Sequence, residues 1–280
     1  MTGLRKKVRL MRIQKKGRKM RGLIDIHCHV VPGVDDGAKT LYDSGKILQQ
    51  EYFDEVSAII ATPHYRRGMF ETPQEEVERQ FNRLHEMASR SRSGMKVYLG
   101  CEYHSGFSMV RDIRKGLRPT MAGSRYVLTE FSSRHSYTVI RNQIYDLVAA
   151  GYKPIIAHAE RYPCLVSDHT RTVELVRAGA RIQLTSGNVL GEMGKPVKKY
   201  CHYLLKNGLV SFIATDAHDI KERRPNLGKC ADYVEKKYGK DYAADIFIHN
   251  PQLIINEGEA AKRRKKRNEK SDVIEEKAAL

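Results

Sequence analysis

The run Leu23-Ile24-Asp25-Ile26-His27-Cys28-His29, continuing into Pro32-Gly33-Val34-Asp35-Asp36-Gly37, is the stretch on which the architecture turns. It starts as an apolar strand and ends on two histidines two residues apart, ahead of a Pro-Gly turn and two carboxylates. In an extended chain residues i and i+2 share a face, so His27 and His29 point together and Cys28 points away. Two imidazoles at a strand end, with Asp36 close by, offer a metal ion two nitrogens and an oxygen. An HxH pair alone is a weak motif; its meaning depends on the other strand ends.

Six further short apolar runs follow, at 58–64, 95–103, 125–131, 153–160, 181–187 and 210–218. Between and after them lie stretches with helical spacing, at 73–90, 137–150, 170–178, 197–207, 227–238 and 241–248. Seven strands alternating with helices predict repeated βα units. No low-complexity linker interrupts residues 23–258, so a single barrel-like α/β domain is expected. In such a barrel the strand C-termini gather at one face, and chemistry is assembled there from side chains distant in sequence.

The second expected strand ends on His64, the third on Glu102, the fourth on Glu130, the fifth on His158 and the seventh on Asp216 and His218. Any one of these, alone, reads as a satisfied histidine or a solvated carboxylate. Together with His27, His29 and Asp36 they make nine candidate donors, more than one ion requires. Two or three divalent metals are implied, and mixed imidazole and carboxylate donors without thiolate suit manganese, iron or zinc. Clustered divalent cations acidify a bridging water and polarise a phosphoryl oxygen, which makes phosphoester hydrolysis the natural chemistry. Arg161, three residues after His158, and Arg223, five after His218, supply planar forks suited to phosphate oxygens.

Composition limits the alternatives. Of a net charge of +17, residues 1–22 carry +10 and residues 259–280 carry +3, leaving +4 for the body between them. The chain therefore divides into a flexible basic N-terminal extension (1–22), a catalytic body (23–258) and a charged tail (259–280). So small a body charge argues against an extended nucleic-acid groove, while the basic ends suit weak contact with an anionic membrane. No stretch has the apolar length of a signal or a membrane span, so a cytoplasmic protein is expected, at most peripheral at the inner membrane face. Five cysteines, an odd number without CxxC spacing, fit reduced thiols. None has the spacing to an arginine that a cysteine-dependent phosphatase needs; Cys164 comes nearest, with Arg171 one residue too far along.

The ordered set D-I-H-C-H, D-D-G, T-P-H, G-x-E, H-A-E-R-Y and T-D-A-H resembles the polymerase and histidinol phosphatase (PHP) superfamily, and within it the bacterial CpsB/CapC type of protein-tyrosine phosphatase. The resemblance covers roughly Leu23 to Asn256. It implies a distorted (β/α)7 barrel of the PHP, TIM-like kind and three metals, usually manganese. It also implies activity on phosphotyrosine of a capsule or exopolysaccharide tyrosine kinase, with metal-bound hydroxide as nucleophile. On this resemblance His27, His29, Glu102 and Asp216 hold one ion; Glu102, Glu130 and His158 a second; Asp36, His64 and His218 a third. Arg161 and Arg223 then bind the phosphate. A small-molecule phosphatase of the histidinol phosphate kind, a PHP-type nuclease and a noncatalytic kinase-binding protein are the alternatives; the unbroken donor set weighs against the last.

Overall fold

The computed structural model describes residues 20–278, with side chains through residue 269. Apart from Met20, Arg21 and Gly22, the expected N-terminal extension lies outside the described residues.

Among the described residues the strands are β1 (Leu23–Cys28), β2 (Val56–Ala61), β3 (His64–Tyr65), β4 (Lys96–Leu99), β5 (Glu102–His104), β6 (Tyr126–Glu130), β7 (Lys153–Ile156), β8 (Arg181–Thr185) and β9 (Phe212–Ala214). All pair in parallel, in the orders β1-β2-β4 and β3-β5-β6-β7-β8-β9. Two of the seven expected strands are thus each divided. The run 58–64 breaks at Thr62-Pro63 and the run 95–103 at Gly100-Cys101. Proline has no N–H for a sheet ladder, so pairing stops there and resumes through single bonds. Gly100 N donates to Ala61 O at 2.8 Å and Glu102 N to Pro63 O at 3.1 Å, which keeps both staves in line.

The ring closes between β1 and the chain after β9. His29 N donates to Ala217 O and Asp216 N to His27 O, each at 2.8 Å. Seven staves in chain order therefore form the expected distorted barrel, with every strand C-terminus at one rim. Strands β7 and β9 are shorter than expected, because the chain leaves the sheet before His158 and Asp216. These residues sit in the left-handed backbone region, at φ +33° and +54°. Non-glycine residues there are strained, and such strain gathers at functional sites.

Alternate residues of β1, β2, β6, β7 and β9, among them Ile24, Ile60, Leu128, Ile155 and Phe212, fill the barrel. Their neighbours in sequence, such as Ile59, Ile156 and Ile213, face the surrounding helices. The helix Leu41–Phe53, absent from the expected set, starts on a capping box of Thr40 and Asp43 and packs on β2 and on the helix Gln74–Arg90. The other end of the barrel is sealed by the helix Asn250–Ala278, whose Ile254 and Ile255 join the interior cluster. The boundary expected at 258 falls inside this helix. Its first turns are packed, and it continues as the exposed basic run Lys262–Arg267 without a break. No helix among the described residues is long and apolar enough to cross a membrane.

Candidate metal centre

The residues after Pro32 set the entrance. The turn brings Gly37 against β1 so closely that a Cβ there would lie 2.2 Å from His29 O; only glycine fits. This approach buries Asp35, whose carboxylate accepts from His29 Nδ1 (2.8 Å), His64 N (2.9 Å) and Gly37 N (2.9 Å). Asp36, next in sequence, faces the other way and lines the cavity. The two adjacent carboxylates therefore do different jobs, one orienting a ring and one presented to the site.

His27 is oriented in the same manner. Its Nδ1 lies 3.2 Å from Gln183 Oε1, an acceptor, so Nδ1 carries the proton and Nε2 a lone pair. The same reasoning from Asp35 leaves the lone pair of His29 on Nε2. These two Nε2 atoms are 3.2 Å apart. Glu102 Oε2 stands 3.2 and 3.3 Å from them, and Asp216 Oδ1 3.3 and 3.4 Å. Four electron-pair donors thus converge on one fully buried point, an arrangement that repels itself unless positive charge lies among them. Neither Glu102 Oε2 nor Asp216 Oδ1 has a hydrogen-bond partner, nor do His64 Nδ1 and His218 Nε2. In a buried site such atoms call for a cation, and this donor set fits divalent metal.

Titration behaviour expresses the same demand. Burial pulls the imidazoles of His27 and His29 down, yet the carboxylates Glu102, Asp216 and Asp35 hold both above the usual range. Burial pushes Glu102 and Asp216 up, but His27 and His64 around the first, and Arg161 and His27 around the second, hold them well below. Burial and then the charge of Glu102 raise Glu130 to about 7. His158 and His218 fall to about 4, through burial first and then Arg161 and His29 respectively, so both are neutral bases ready to donate lone pairs.

Every candidate from the sequence reaches this rim. Two donor groups accompany the central one: His64, Glu102 and Glu130, and His29, Asp36, His64 and His218. The grouping differs from the one the resemblance implies, because the two nitrogens of His64 face two ways. Nδ1 lies 3.0 Å from Glu102 and 4.0 Å from Glu130, while Nε2 lies 3.5 Å from Asp36. His158 Nε2 meets Glu102 Oε1 at 2.9 Å and Glu130 Oε1 at 3.8 Å, with its Nδ1 held by Tyr162 OH. Arg161 and Arg223 both reach Asp216 Oδ2, at 2.6 and 2.7 Å, leaving Oδ1 to the histidines. The two arginines border a cavity of about 500 Å³ that opens over Asp36, His64, Glu130 and His158.

Asp35 and Gln183 were not singled out from sequence, and neither was the buried Asp25-Thr215-Glu51 network. Asp25 accepts from Thr215 N at 3.1 Å and from His27 N at 3.2 Å, tying the first strand to the last beneath the centre. Asp25 and Glu51 also lie near Cys28 in a buried group. Burial raises both carboxyls, and Glu51 is raised further by Asp25, so this pair favours a shared proton. Asp25 could have been noticed, since it stands two residues before His27; Gln183, alone in an apolar strand, was a weaker signal.

Residues 23–256 match the family model described as Capsular polysaccharide synthesis, CpsB/CapC. The chain is 36% identical over 238 residues to the tyrosine-protein phosphatase CpsB of Streptococcus pneumoniae, covering 83% of this chain and 98% of that protein. It is 29% identical over 249 residues to the tyrosine-protein phosphatase YwqE of Bacillus subtilis (strain 168), with coverage of 87% and 98%. A solved structure from work on YwqE and CpsB, described as unique metal-dependent tyrosine phosphatases, superimposes with a TM-score of 0.78 at 29% identity, covering 84% of this chain and 95% of that one. The histidinol phosphate phosphatase of Lactococcus lactis shares the fold, with a TM-score of 0.55 at 15% identity.

Proposed function

The chain belongs to the CpsB/CapC family of capsular polysaccharide synthesis, and we propose that it is a metal-dependent protein-tyrosine phosphatase acting on a phosphotyrosine-bearing protein, a bacterial tyrosine kinase that regulates capsule or exopolysaccharide production. The observation that carries this reading is the convergence of Glu102 Oε2, Asp216 Oδ1 and the Nε2 atoms of His27 and His29 beneath a cavity bordered by Arg161 and Arg223. His27, His29, Glu102 and Asp216 would hold one divalent ion. Glu102 and Glu130, with His64 or His158, would hold a second, and Asp36, His64 and His218 a third. The donor set suits manganese, iron and zinc, and the family resemblance favours manganese among them. Bound ions supply Lewis acidity and a water of lowered pKa at the phosphorus.

The chain's own residues do the rest. Arg161 and Arg223, aligned on Asp216, present guanidinium forks to the phosphoryl oxygens and balance the charge that develops on them. Phe70 lies flat on His64, with ring centroids 5.0 Å apart and planes 10° apart, and with Met69 and Met193 it gives the cavity an apolar wall for an aromatic ring. A phenol has a pKa of about 10, so the tyrosyl oxygen leaves more readily than an alkoxide and depends less on a side-chain acid. The basic ends would add weak contact with an anionic membrane on the cytoplasmic side.

The purified protein is expected to hydrolyse phosphotyrosine peptides with added manganese and to stop on chelation. Full turnover after exhaustive chelation would refute the reading. His158→Ala should remove most of the rate, whereas Cys28→Ser, which alters a buried core thiol, should leave it substantially intact.

A further inference from the structure

Arg66 opens a tight turn that the catalytic reading leaves unexplained. Its N donates to Phe70 O at 3.0 Å, and Phe70 N returns to Arg66 O at 2.8 Å. The turn is pinned from outside: Arg67 pairs with Asp112 at 2.8 Å, Thr72 Oγ1 donates to Val34 O at 2.8 Å, and Arg118 donates to Thr72 O. So held, the turn stands Arg66 on the partition between the catalytic cavity and an adjoining pocket of about 180 Å³, lined by Tyr65, Tyr103, His104, Ser105 and Ser108. Arg161 and Arg223 are already paired with Asp216. Arg66 is half-buried as a residue, and its guanidinium has neither ion pair nor hydrogen bond among the described residues. The acid lining the adjoining pocket, Asp112, is ion-paired with Arg67 and accepts from Ser108 Oγ at 2.6 Å, so its charge is offset toward an incoming anion.

We propose that Arg66 and the pocket beside it form a subsite for an acidic side chain, a Glu or Asp of the substrate protein flanking its phosphotyrosine. The inference rests on the tyrosine-phosphatase reading and adds sequence selectivity to it. A guanidinium fork matches a carboxylate, and the partition position places that fork one step out from the reacting phosphate.

The test uses the full chain with manganese and a set of phosphotyrosine peptides that differ only in carrying Glu, Gln or Lys within three residues of the phosphotyrosine, on either side. The wild type should prefer Glu over Gln in kcat/KM by about tenfold, the effect of one charge-assisted hydrogen bond. Arg66→Gln should erase the preference and Arg66→Glu should turn it toward Lys. Equal wild-type rates on all peptides, or a preference that survives in Arg66→Gln, would overturn the subsite and leave the phosphatase standing. So would a loss in Arg66→Gln that is uniform across all peptides and p-nitrophenyl phosphate, since that marks a phosphate clamp. A wild type that hydrolyses no phosphotyrosine peptide would overturn the underlying reading itself.

Discussion

The two ends of this barrel solve opposite problems. At the C-terminal rim, carboxylates and imidazole lone pairs are crowded into a buried point, and two of the residues concerned, His158 and Asp216, sit in left-handed backbone. Orientation there is imposed from behind by Asp35, Gln183 and Tyr162. At the N-terminal end, Ile254 and Ile255 close the interior, and Gly258 lets the helix lie against the backbone of Ala122. At its margin Glu257 meets Arg125 and Lys153. One end holds strain and charge that chemistry can use, and the other supplies packing that holds the strained end together. Substitutions at the rim should therefore move rates with little change in melting, and substitutions at the base should do the reverse.

The sharpest separation is expected at Asp216. Asparagine, like aspartate, enters left-handed backbone more readily than other side chains do, so Asp216→Asn keeps the turn while removing the charge. An amide offers its one oxygen either to Arg161 and Arg223 or to the centre, and brings no negative charge to either, so one side loses its oxygen and both lose the charge. We expect kcat/KM to fall by at least about 100-fold, as for lost metal-site support or a lost transition-state contact. Tm should move by no more than about 4 °C. A variant within tenfold of the wild-type rate would break the rim half of the comparison; one that fails to melt cooperatively would show that the rim also holds the fold.

The same contrast governs what could be read from sequence. The rim was legible because its pattern is local: His27 and His29 at strand spacing, His158 and Arg161 within one turn, Asp216 and His218 two residues apart. Strand ends carry their donors to one face whatever the loops do. The division of labour between Asp35 and Asp36 was not legible, because it depends on a close approach at Gly37 that no pattern of residue types reveals. The pairing of His64 with two carboxylate groups likewise depends on ring orientation. At the base, Ile254, Ile255 and Gly258 looked like the end of a domain, since their partners Ala122 and Phe212 are remote in sequence. The break at Thr62-Pro63 could have been expected from proline alone, yet the apolar run on either side concealed it.

Gly258 tests the base directly. Helix propensity alone predicts that Gly258→Ala stabilises by about 1 kcal/mol. The structure predicts the opposite sign, because a Cβ there would lie 2.1 Å from Ala122 O, an atom of the backbone that cannot swing aside. Overpacking of this kind costs about 1–3 kcal/mol, so after the propensity gain a net loss of up to about 2 kcal/mol in urea unfolding is expected, with kcat at 25 °C unchanged. A stabilised variant would show that the helix does not seat this closely.

The smallest effect is expected at the margin of the base, where pH gives its sign. Glu257 accepts from Lys153 Nζ at 2.6 Å and from Arg125 Nε at 2.8 Å, joining the C-terminal helix to the starts of β6 and β7. Burial works to raise its carboxyl, but Lys153 and Arg125 prevail and hold it at about 2. A carboxyl depressed in the folded state contributes stability above its unfolded pKa of about 4.3 and loses it as pH falls toward the folded value. Glu257→Gln should therefore be less stable than the wild type at pH 7, by under about 1 kcal/mol because the pair is partly open to solvent and screened. The gap should narrow between pH 4.5 and 2 and shrink in high salt, as read from urea midpoints across pH. A gap that is constant across that range would mean that Glu257 acts by shape and neutral hydrogen bonding rather than by charge. The base would then be held by packing up to its margin.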